Sequence, residues 1–369
     1  MSTTANAQPT VAVVGGGYGG VRAAQLLDEV ANVVLVEPKN AFFHNAAALR
    51  GLVDHTWAGL IFLPYTRLLR RGRVIHDQAI RVTADGVELS SGDHVAADYT
   101  ILATGSTYPF PAKAADDDAA TARAQLRTAH DALANSQRVL LLGAGPVGIE
   151  LAGEITAVWP DKAVTIVDPA EDVLSGGYSA ELRDELRQQL LDLGVDLRLG
   201  TALRELPATP PAVSREFEVH AEQGEPISAD IWYRCFGAAP TTGYLEPDLS
   251  DALQSNGLLR VTPELRVAGQ ERVFAIGDIT AVPEPKQASQ ATVHGEVAAA
   301  NITALIRGEG DLTSYEPEED PAILVPLGPD GGASQLPDGT AGAQTTAAYK
   351  GKDLLVSHFR AMFDLERTG

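Results

Sequence analysis

Glycines at a phosphate-binding spacing occur twice in this chain, each time directly after an apolar stretch. In the first case residues 11–14 predict a buried strand, and Gly15, Gly17 and Gly20 follow with the spacing G-x-G-x-x-G. The first glycine permits a tight turn, the second lets a pyrophosphate approach the backbone, and the third lets the next helix pack against the strand. The free N–H groups at the start of that helix would then face the phosphates.

An acid completes this first pattern. Apolar residues 33–36 predict a second strand, and it ends in Glu37, at the place where a carboxylate bonds ribose hydroxyls. The three glycines alone are weak evidence, because a glycine-rich loop need not bind a ligand. Strand, glycines, helix, strand and acid in this order predict a dinucleotide site.

The same pattern returns in the middle of the chain. Residues 139–142 precede Gly143, Gly145 and Gly148, and the next apolar stretch ends in Asp168. Two complete patterns predict two dinucleotides or one duplicated fold. Asp168 would repel a 2′-phosphate, and residues 169–172 contain no Arg or Lys, so NADH is expected to be preferred over NADPH. The alternative is that Asp168 only caps the following turn.

Two later strands predict how the two patterns are connected. Residues 98–105 form an apolar strand that ends in Ala103, Thr104 and Gly105, and residues 273–278 form another that ends in Asp278. Because the second lies beyond Asp168, we predict an α/β fold with two Rossmann-like domains, one inserted in the other. The expected domains are a first one from 1–112 and 257–315, a second from 113–256, and a small C-terminal α+β domain from 316–369.

Composition excludes several classes of partner. The 369 residues carry 28 Lys and Arg against 49 Asp and Glu, a net charge of −21, which disfavours nucleic acid and anionic membrane surfaces. No apolar run is long enough to span a bilayer, and the first ten residues lack a basic and apolar signal segment. We therefore expect a cytoplasmic protein without a transmembrane segment.

Cysteine usage restricts the redox chemistry. The chain has one cysteine, Cys235, so it can form neither an intramolecular disulfide nor a dithiol centre. We expect Cys235 to be a small buried residue at a strand end. The sequence has no Cys/His cluster with the spacing of metal ligands, so we predict a bound organic cofactor and no metal.

The motifs together resemble a known family. The segments that carry the resemblance are 43–51, 103–113, 273–278, the Pro285-Lys286 pair and 353–357. The chain resembles the two-dinucleotide-binding-domain flavoproteins of the pyridine nucleotide-disulfide oxidoreductase superfamily. Within it, the chain is most similar to the apoptosis-inducing-factor-like ferroptosis suppressor proteins. This resemblance implies an FAD enzyme that oxidises NAD(P)H and reduces a quinone.

The resemblance also implies roles for individual residues. Glu150 matches the acid that such enzymes place near the nicotinamide and the flavin. The implied FAD-binding residues are Gly15, Gly17, Tyr18, Gly20, Glu37, Arg50, Ala103, Thr104, Gly105, Asp278, Lys286 and Ala288. The implied NAD(P)H-binding residues are Gly143, Gly145, Val147, Gly148, Asp168 and Gly237.

Some side chains keep two interpretations. His44 lies in the turn where disulfide reductases place their redox cysteines, and it would either contact the flavin and shuttle a proton or only bond backbone. Lys113 or Arg50 would pair with Glu150, the alternatives being a solvated lysine and an ordinary salt bridge. His294, on an alanine-rich helix, is expected to be a packing residue. Because residues 41–50 contain no cysteine, disulfide reduction through a protein dithiol is excluded.

The acceptor and the C-terminal segment stay open at this point. A quinone is the first choice of acceptor; a small metabolite, an electron-carrier protein and a non-enzymatic, NADH-responsive redox sensor are the alternatives. The C-terminal unit would cover the flavin and build a homodimer interface. Phe359, Met362 and Phe363 fit an interface or core, with membrane docking as a weaker alternative. The chain also lacks the Met-Gly start that myristoylation requires, which counts against membrane attachment.

Overall fold

The computed structural model describes residues 8–83, 85–245, 247–320 and 322–365. Its first sheet is parallel, and every strand except the edge strand Arg73–Ile75 is largely buried. Its strands, in spatial order, are Val273–Ala275, Tyr99–Leu102, Thr10–Val14, Asn32–Val36 and Arg73–Ile75. The helices Tyr18–Leu27 and Ala288–Arg307 pack against each other beside this sheet. The two helices are in close contact: a Cβ on Gly19 would lie only 2.5 Å from the carbonyl oxygen of Ala291.

A second parallel sheet repeats the design. Its strands, in spatial order, are Asp196–Leu199, Ala163–Asp168, Arg138–Leu142 and Ile231–Arg234. The helices around it are Ala119–Ala134, Pro146–Val158 and Ala180–Asp192. The near-continuous burial of central strand Arg138–Leu142 matches its Val- and Leu-rich sequence, as a strand covered on both faces requires.

The chain leaves the first sheet, builds the second and returns. Strand Val273–Ala275 pairs in parallel with Tyr99–Leu102, although the whole second sheet lies between them in sequence. Where the chain crosses, Ser106–Thr107 pairs antiparallel with Ala239–Pro240. This topology is the α/β arrangement that the motifs predicted, while the numerical domain bounds stay a prediction.

Smaller elements, which the sequence motifs did not predict, complete the two folds. An antiparallel meander covers one face of the first sheet with Val82, Val87 and Leu89. The meander strands are Ala79–Thr83, Gly86–Leu89 and His94–Ala96. The other short elements are strands Ala41–Phe43, Phe62–Pro64, Phe217–Val219 and Ile227–Ala229, and helices Ala48–Val53 and Pro247–Ser250.

The C-terminal unit is α+β, as expected. Its antiparallel strands are Ile323–Leu327, Gly331–Leu336 and Gly339–Ala341, followed by helix Ala343–Thr346, the π-helical turn Ala347–Gly351 and helix Val356–Met362. The last helix starts only at Val356 because Leu354 and Leu355 adopt left-handed backbone angles, φ 48° and 62°. Phe359 and Phe363 are buried against the first fold, which places them in the core of the chain.

Within the described ranges, every helix is too short or too polar to cross a membrane.

Candidate functional site

The first glycine turn has the geometry of a phosphate cradle. The Gly15 N–H donates to the carbonyl of Val36 at 2.8 Å, and Gly15 itself has φ 107°. A Cβ on Gly20 would lie 1.9 Å from the carbonyl oxygen of Gly15, so only glycine allows the helix to pack this closely. A Cβ on Gly17, in contrast, would meet none of the described atoms within 4 Å. The open space therefore lies at the helix start, where a pyrophosphate fits.

The second glycine turn repeats this geometry. The Gly143 N–H donates to the carbonyl of Val167 at 2.8 Å, and a Cβ on Gly148 would lie 1.9 Å from the carbonyl oxygen of Gly143. Gly145 again faces space that is free of described atoms within 4 Å. Val147 follows in the first turn of the helix that Pro146 begins. The duplicated sequence pattern thus folds into two equivalent cradles.

The two strand-end acids also occupy equivalent places. Glu37 accepts a hydrogen bond from the Gly16 N–H at 2.6 Å, and Asp168 accepts one from the Ala144 N–H at 2.6 Å. Asp168 also accepts from the Ala170 N–H at 2.7 Å. Each carboxylate is thereby fixed beside its own glycine turn, at the edge where a nucleotide ribose would lie.

A polar cluster surrounds Asp278. The Ser106 hydroxyl donates to the Asp278 carboxylate at 2.5 Å, and the Lys113 Nζ lies 3.8 Å from the same oxygen. Lys113 also donates to the backbone carbonyl and hydroxyl of Ser106. Burial lowers the pKa of Lys113, and the nearby Asp278 charge opposes that shift. The position of Lys113 therefore places it with Asp278, on the first fold.

Other residues of the implied flavin set lie at the same end of the first sheet. Thr104 follows Ala103, directly after strand Tyr99–Leu102. Its hydroxyl donates to the carbonyl of Thr241 at 2.6 Å. Gly105 has φ 63° and lies beside space free of described atoms within 4 Å. The Lys286 ammonium donates to two backbone carbonyls before helix Ala288–Arg307 begins. These two bonds fix the turn that precedes the helix.

His294 does more than pack. Its Nδ1 accepts the Gly277 N–H at 3.1 Å, so the ring proton lies on Nε2, which is 2.9 Å from the Glu284 carboxylate. Its side chain is fully buried, and Tyr315 donates to the same carboxylate. His294 therefore fixes the backbone immediately before Asp278, a role that the sequence analysis did not predict.

Glu150 forms a partly buried ion pair with a residue that the sequence analysis missed. The Lys350 Nζ lies 2.9 Å from the Glu150 carboxylate and also donates to the carbonyl of Leu324 at 3.0 Å. Burial raises the pKa of Glu150, and the Lys350 charge opposes this shift. The expected partners lie elsewhere, because Lys113 is beside Asp278 and Arg50 pairs with Glu154.

His44 is fixed by hydrogen bonds on both ring nitrogens. The Ala46 N–H donates to the Tyr18 hydroxyl, so that hydroxyl donates to His44 Nδ1 at 3.1 Å. The Nε2–H then donates to the carbonyl of Leu354 at 2.6 Å. Burial lowers the pKa of His44 to about 4, so the ring is neutral at pH 7. A proton-shuttle role would require one of these bonds to break.

Hydrogen bonds and an ion pair connect the two glycine-turn helices through the C-terminal unit. Tyr18, at the start of helix Tyr18–Leu27, bonds His44, and His44 bonds the carbonyl of Leu354. Lys350, four residues before Leu354, pairs with Glu150 on helix Pro146–Val158.

The second sheet supplies two further predicted residues. Cys235 directly follows strand Ile231–Arg234 and is buried, as expected, and burial raises the pKa of its thiol to about 12. Gly237 has φ 99° and lies against the Arg234 guanidinium. The described ranges contain no group of three or more His, Cys, Asp or Glu arranged to hold a metal ion.

Comparisons with known proteins agree with this geometry. Residues 9–295 match the family model for pyridine nucleotide-disulphide oxidoreductases. The chain is 32% identical over 357 residues to ferroptosis suppressor protein 1 of Mus musculus, and the match covers 94% of each chain.

Two solved structures share the fold across nearly the whole chain. The sulfide:quinone oxidoreductase of Aquifex aeolicus matches with a TM-score of 0.73 and 17% identity, over 96% of this chain and 91% of that one. NDH2 of Plasmodium falciparum, solved in complex with NADH, matches with a TM-score of 0.73 and 13% identity, over 96% and 95%.

Two cradles of equivalent geometry, each followed by a ribose-side acid, fit the cofactors of that family. The open positions at Gly17 and Gly145 leave room for a pyrophosphate in each. The protein is thus an oxidoreductase that uses FAD and NAD(P)H. It belongs to the pyridine nucleotide-disulphide oxidoreductase family.

Proposed function

We propose that this flavoprotein is an NADH:quinone oxidoreductase. The observation that carries the choice of acceptor is that Cys235, the one cysteine of the chain, is buried behind the second glycine turn. The segment 41–50, where disulfide reductases place their redox pair, contains no cysteine. Electrons must therefore leave the flavin directly for a diffusible acceptor. Quinone is the acceptor named for the sulfide:quinone oxidoreductase that shares this fold.

The first cradle would hold FAD and the second NADH. Bound FAD supplies the redox chemistry, taking a hydride from the nicotinamide and releasing electrons to the acceptor. The residues of the chain bind and orient. Gly15, Gly17 and Gly20 would admit the FAD pyrophosphate, and Glu37 would face its ribose. The Ser106 hydroxyl donates to the Asp278 carboxylate and so fixes its position.

Glu150 is proposed as the residue that orients the nicotinamide end. It lies on the helix that starts at Pro146, beside the second cradle, and its side chain is only 13% exposed. Lys350 opposes the effect of burial and so favours the ionised carboxylate. Because Lys350 also bonds the carbonyl of Leu324, the ion pair holds the Glu150 carboxylate in one place, where it would orient a bound reactant.

Asp168 supports the preference for NADH. Its two carboxylate oxygens accept from the N–H groups of Ala144 and Ala170, which holds the charge at the ribose edge. Two arginines of the second fold have acidic partners of their own. Arg187 pairs with Asp172, and Arg198 pairs with Asp196. A 2′-phosphate would meet this fixed carboxylate, and residues 169–172 supply no Arg or Lys to neutralise it.

Anaerobic stopped-flow absorbance tests the proposal. The holoenzyme is reduced with NADH and then mixed with ubiquinone-1, menadione, oxygen, a ferredoxin or a small disulfide. We expect flavin reoxidation by at least one quinone to be tenfold or more faster than by oxygen or disulfide. Fast reoxidation by ferredoxin with slow quinone reactions would make the protein an electron-carrier reductase. A long-lived complex of NAD and reduced flavin that no acceptor reoxidises would identify a redox sensor. Either result would overturn the quinone proposal.

A further inference from the structure

Arg50 is a buried junction between three parts of the chain. It projects from helix Ala48–Val53 of the first fold, and its side chain is 6% exposed. Its Nε and Nη2 donate to the two carboxylate oxygens of Glu154, at 2.9 and 2.7 Å. Its Nη1 donates to the carbonyls of Gly351 and Lys352, at 2.6 and 3.3 Å.

Both groups that Arg50 binds lie next to the ion pair described above. Glu154 follows Glu150 by four residues on helix Pro146–Val158, so the two carboxylates share one face of that helix. Gly351 and Lys352 directly follow Lys350 at the end of the π-helical turn. Arg50 therefore bonds both the helix that carries Glu150 and the backbone next to Lys350.

We propose that Arg50 is a positioning residue for the ion pair between Glu150 and Lys350. It acts through Glu154 on one side and through two backbone carbonyls on the other. The guanidinium suits this task, because its planar fork can bind a carboxylate at two points and still have N–H groups for the carbonyls. A lysine ammonium at this place could not span both partners.

Stability alone gives a weak reason for such a pair. Glu154 has a side chain that is 4% exposed, and burying two charges removes their hydration. Well-packed apolar residues of similar volume often stabilise a fold equally well. The π-helical turn adds a second indication, because such turns frequently occur at functional sites. The geometry that Arg50 fixes therefore serves the neighbouring ion pair.

The test removes both buried charges together. The variant Arg50→Met/Glu154→Leu leaves no unpaired buried charge, so we expect it to fold and to bind FAD. The matched control is Arg22→Met/Glu296→Leu, another Arg–Glu pair between distant segments, at 2.8 Å and with 33% and 44% exposure. Both variants and the wild type are studied as FAD-loaded holoenzymes.

Two readouts separate positioning from simple stability. Hydrogen exchange without NADH should speed up at least tenfold at the Lys352 amide, which bonds the Ala347 carbonyl in the turn that Arg50 holds. Anaerobic stopped flow should show a limiting rate of flavin reduction at least tenfold lower, with the Kd of NADH changed less than threefold. The control variant should stay within twofold of wild type in both.

Arg50→Lys is the second variant. It tests the positioning role of Arg50 if the double variant does not hold FAD. It keeps the charge but not the fork, so we expect a limiting rate at least threefold below wild type. Limiting rates within twofold of wild type in the FAD-loaded variants would overturn the proposal, as would unchanged exchange at Lys352.

The inference rests on the proposed role of Glu150, so Glu150→Gln is measured in parallel. If Glu150→Gln leaves flavin reduction unchanged, the role of Glu150 fails, and with it the positioning role. If Glu150→Gln slows reduction and the Arg50 variants do not, only the positioning role fails. Because no quinone enters these measurements, failure of the acceptor proposal is seen separately.

Discussion

His44 makes a prediction about pH that its hydrogen bonds explain. The neutral ring accepts from the Tyr18 hydroxyl and donates to the Leu354 carbonyl, and the side chain is 1% exposed. A second ring proton would displace the Tyr18 bond and place a charge in a buried aromatic cluster with Phe42 and Phe359. Burial, the largest cause, lowers the pKa of His44 from 6.5 to about 4.

The size of the effect follows from the two pKa values. A histidine with a lowered pKa stabilises the folded state fully above its unfolded pKa of 6.5, and this contribution is lost progressively as the pH falls from 6.5 to the folded pKa of about 4. The whole shift corresponds to about 3 kcal/mol. Between pH 7 and pH 5 the expected loss from this one group is about 2 kcal/mol.

The perturbation that isolates this group is His44→Gln. Glutamine keeps one acceptor and one donor but does not titrate in this range. Urea unfolding of both holoproteins at pH 7 and pH 5, with saturating FAD, gives the difference in pH dependence. We expect the wild type to lose about 2 kcal/mol more than the variant over this interval.

A direct titration decides whether the reasoning holds. The His44 carbon resonance is assigned by its absence from the His44→Gln spectrum, among the eight histidines of the chain. It should stay at its neutral position down to pH 5. A His44 pKa above 6, or the same pH dependence of unfolding in both proteins, would refute the argument. A pKa in that range would also restore the proton-shuttle interpretation.

Further predictions concern the nucleotide sites. Glu150→Gln should lower the limiting rate of flavin reduction by NADH at least tenfold while FAD content is kept; a rate within twofold of wild type, measured by stopped flow, would remove it from the site. Wild-type kcat/KM should be at least tenfold higher for NADH than for NADPH, and Asp168→Ser should narrow that ratio, because the carboxylate that repels the 2′-phosphate is gone. Asp278→Ala should release FAD more readily on dilution, measured by flavin fluorescence, and equal retention would contradict its assignment. Gly148→Ala should weaken NADH binding but not FAD binding, since its Cβ would lie 1.9 Å from a carbonyl oxygen, whereas Gly177→Ala, with nothing described within 4 Å, should bind both as wild type does.

The sequence by itself determined the parts of this protein that depend on local spacing. Glycines at G-x-G-x-x-G spacing force a strand, a tight turn and a helix into one geometry, and the acids Glu37 and Asp168 follow from where the next strand must end. The return of Val273–Ala275 to the first sheet followed from the same strand pattern. These features are encoded within a few tens of residues.

Tertiary structure alone decided which side chains meet. Lys350 pairs with Glu150 from 200 residues away, and its place depends on a π-helical turn that no spacing rule indicates. The pair between Arg50 and Glu154 and the bonds of His44 also join distant segments. In the sequence alone, a long charged side chain has several oppositely charged residues as equally good candidate partners. The partner that it meets is fixed only when packed elements bring one buried group within hydrogen-bond distance.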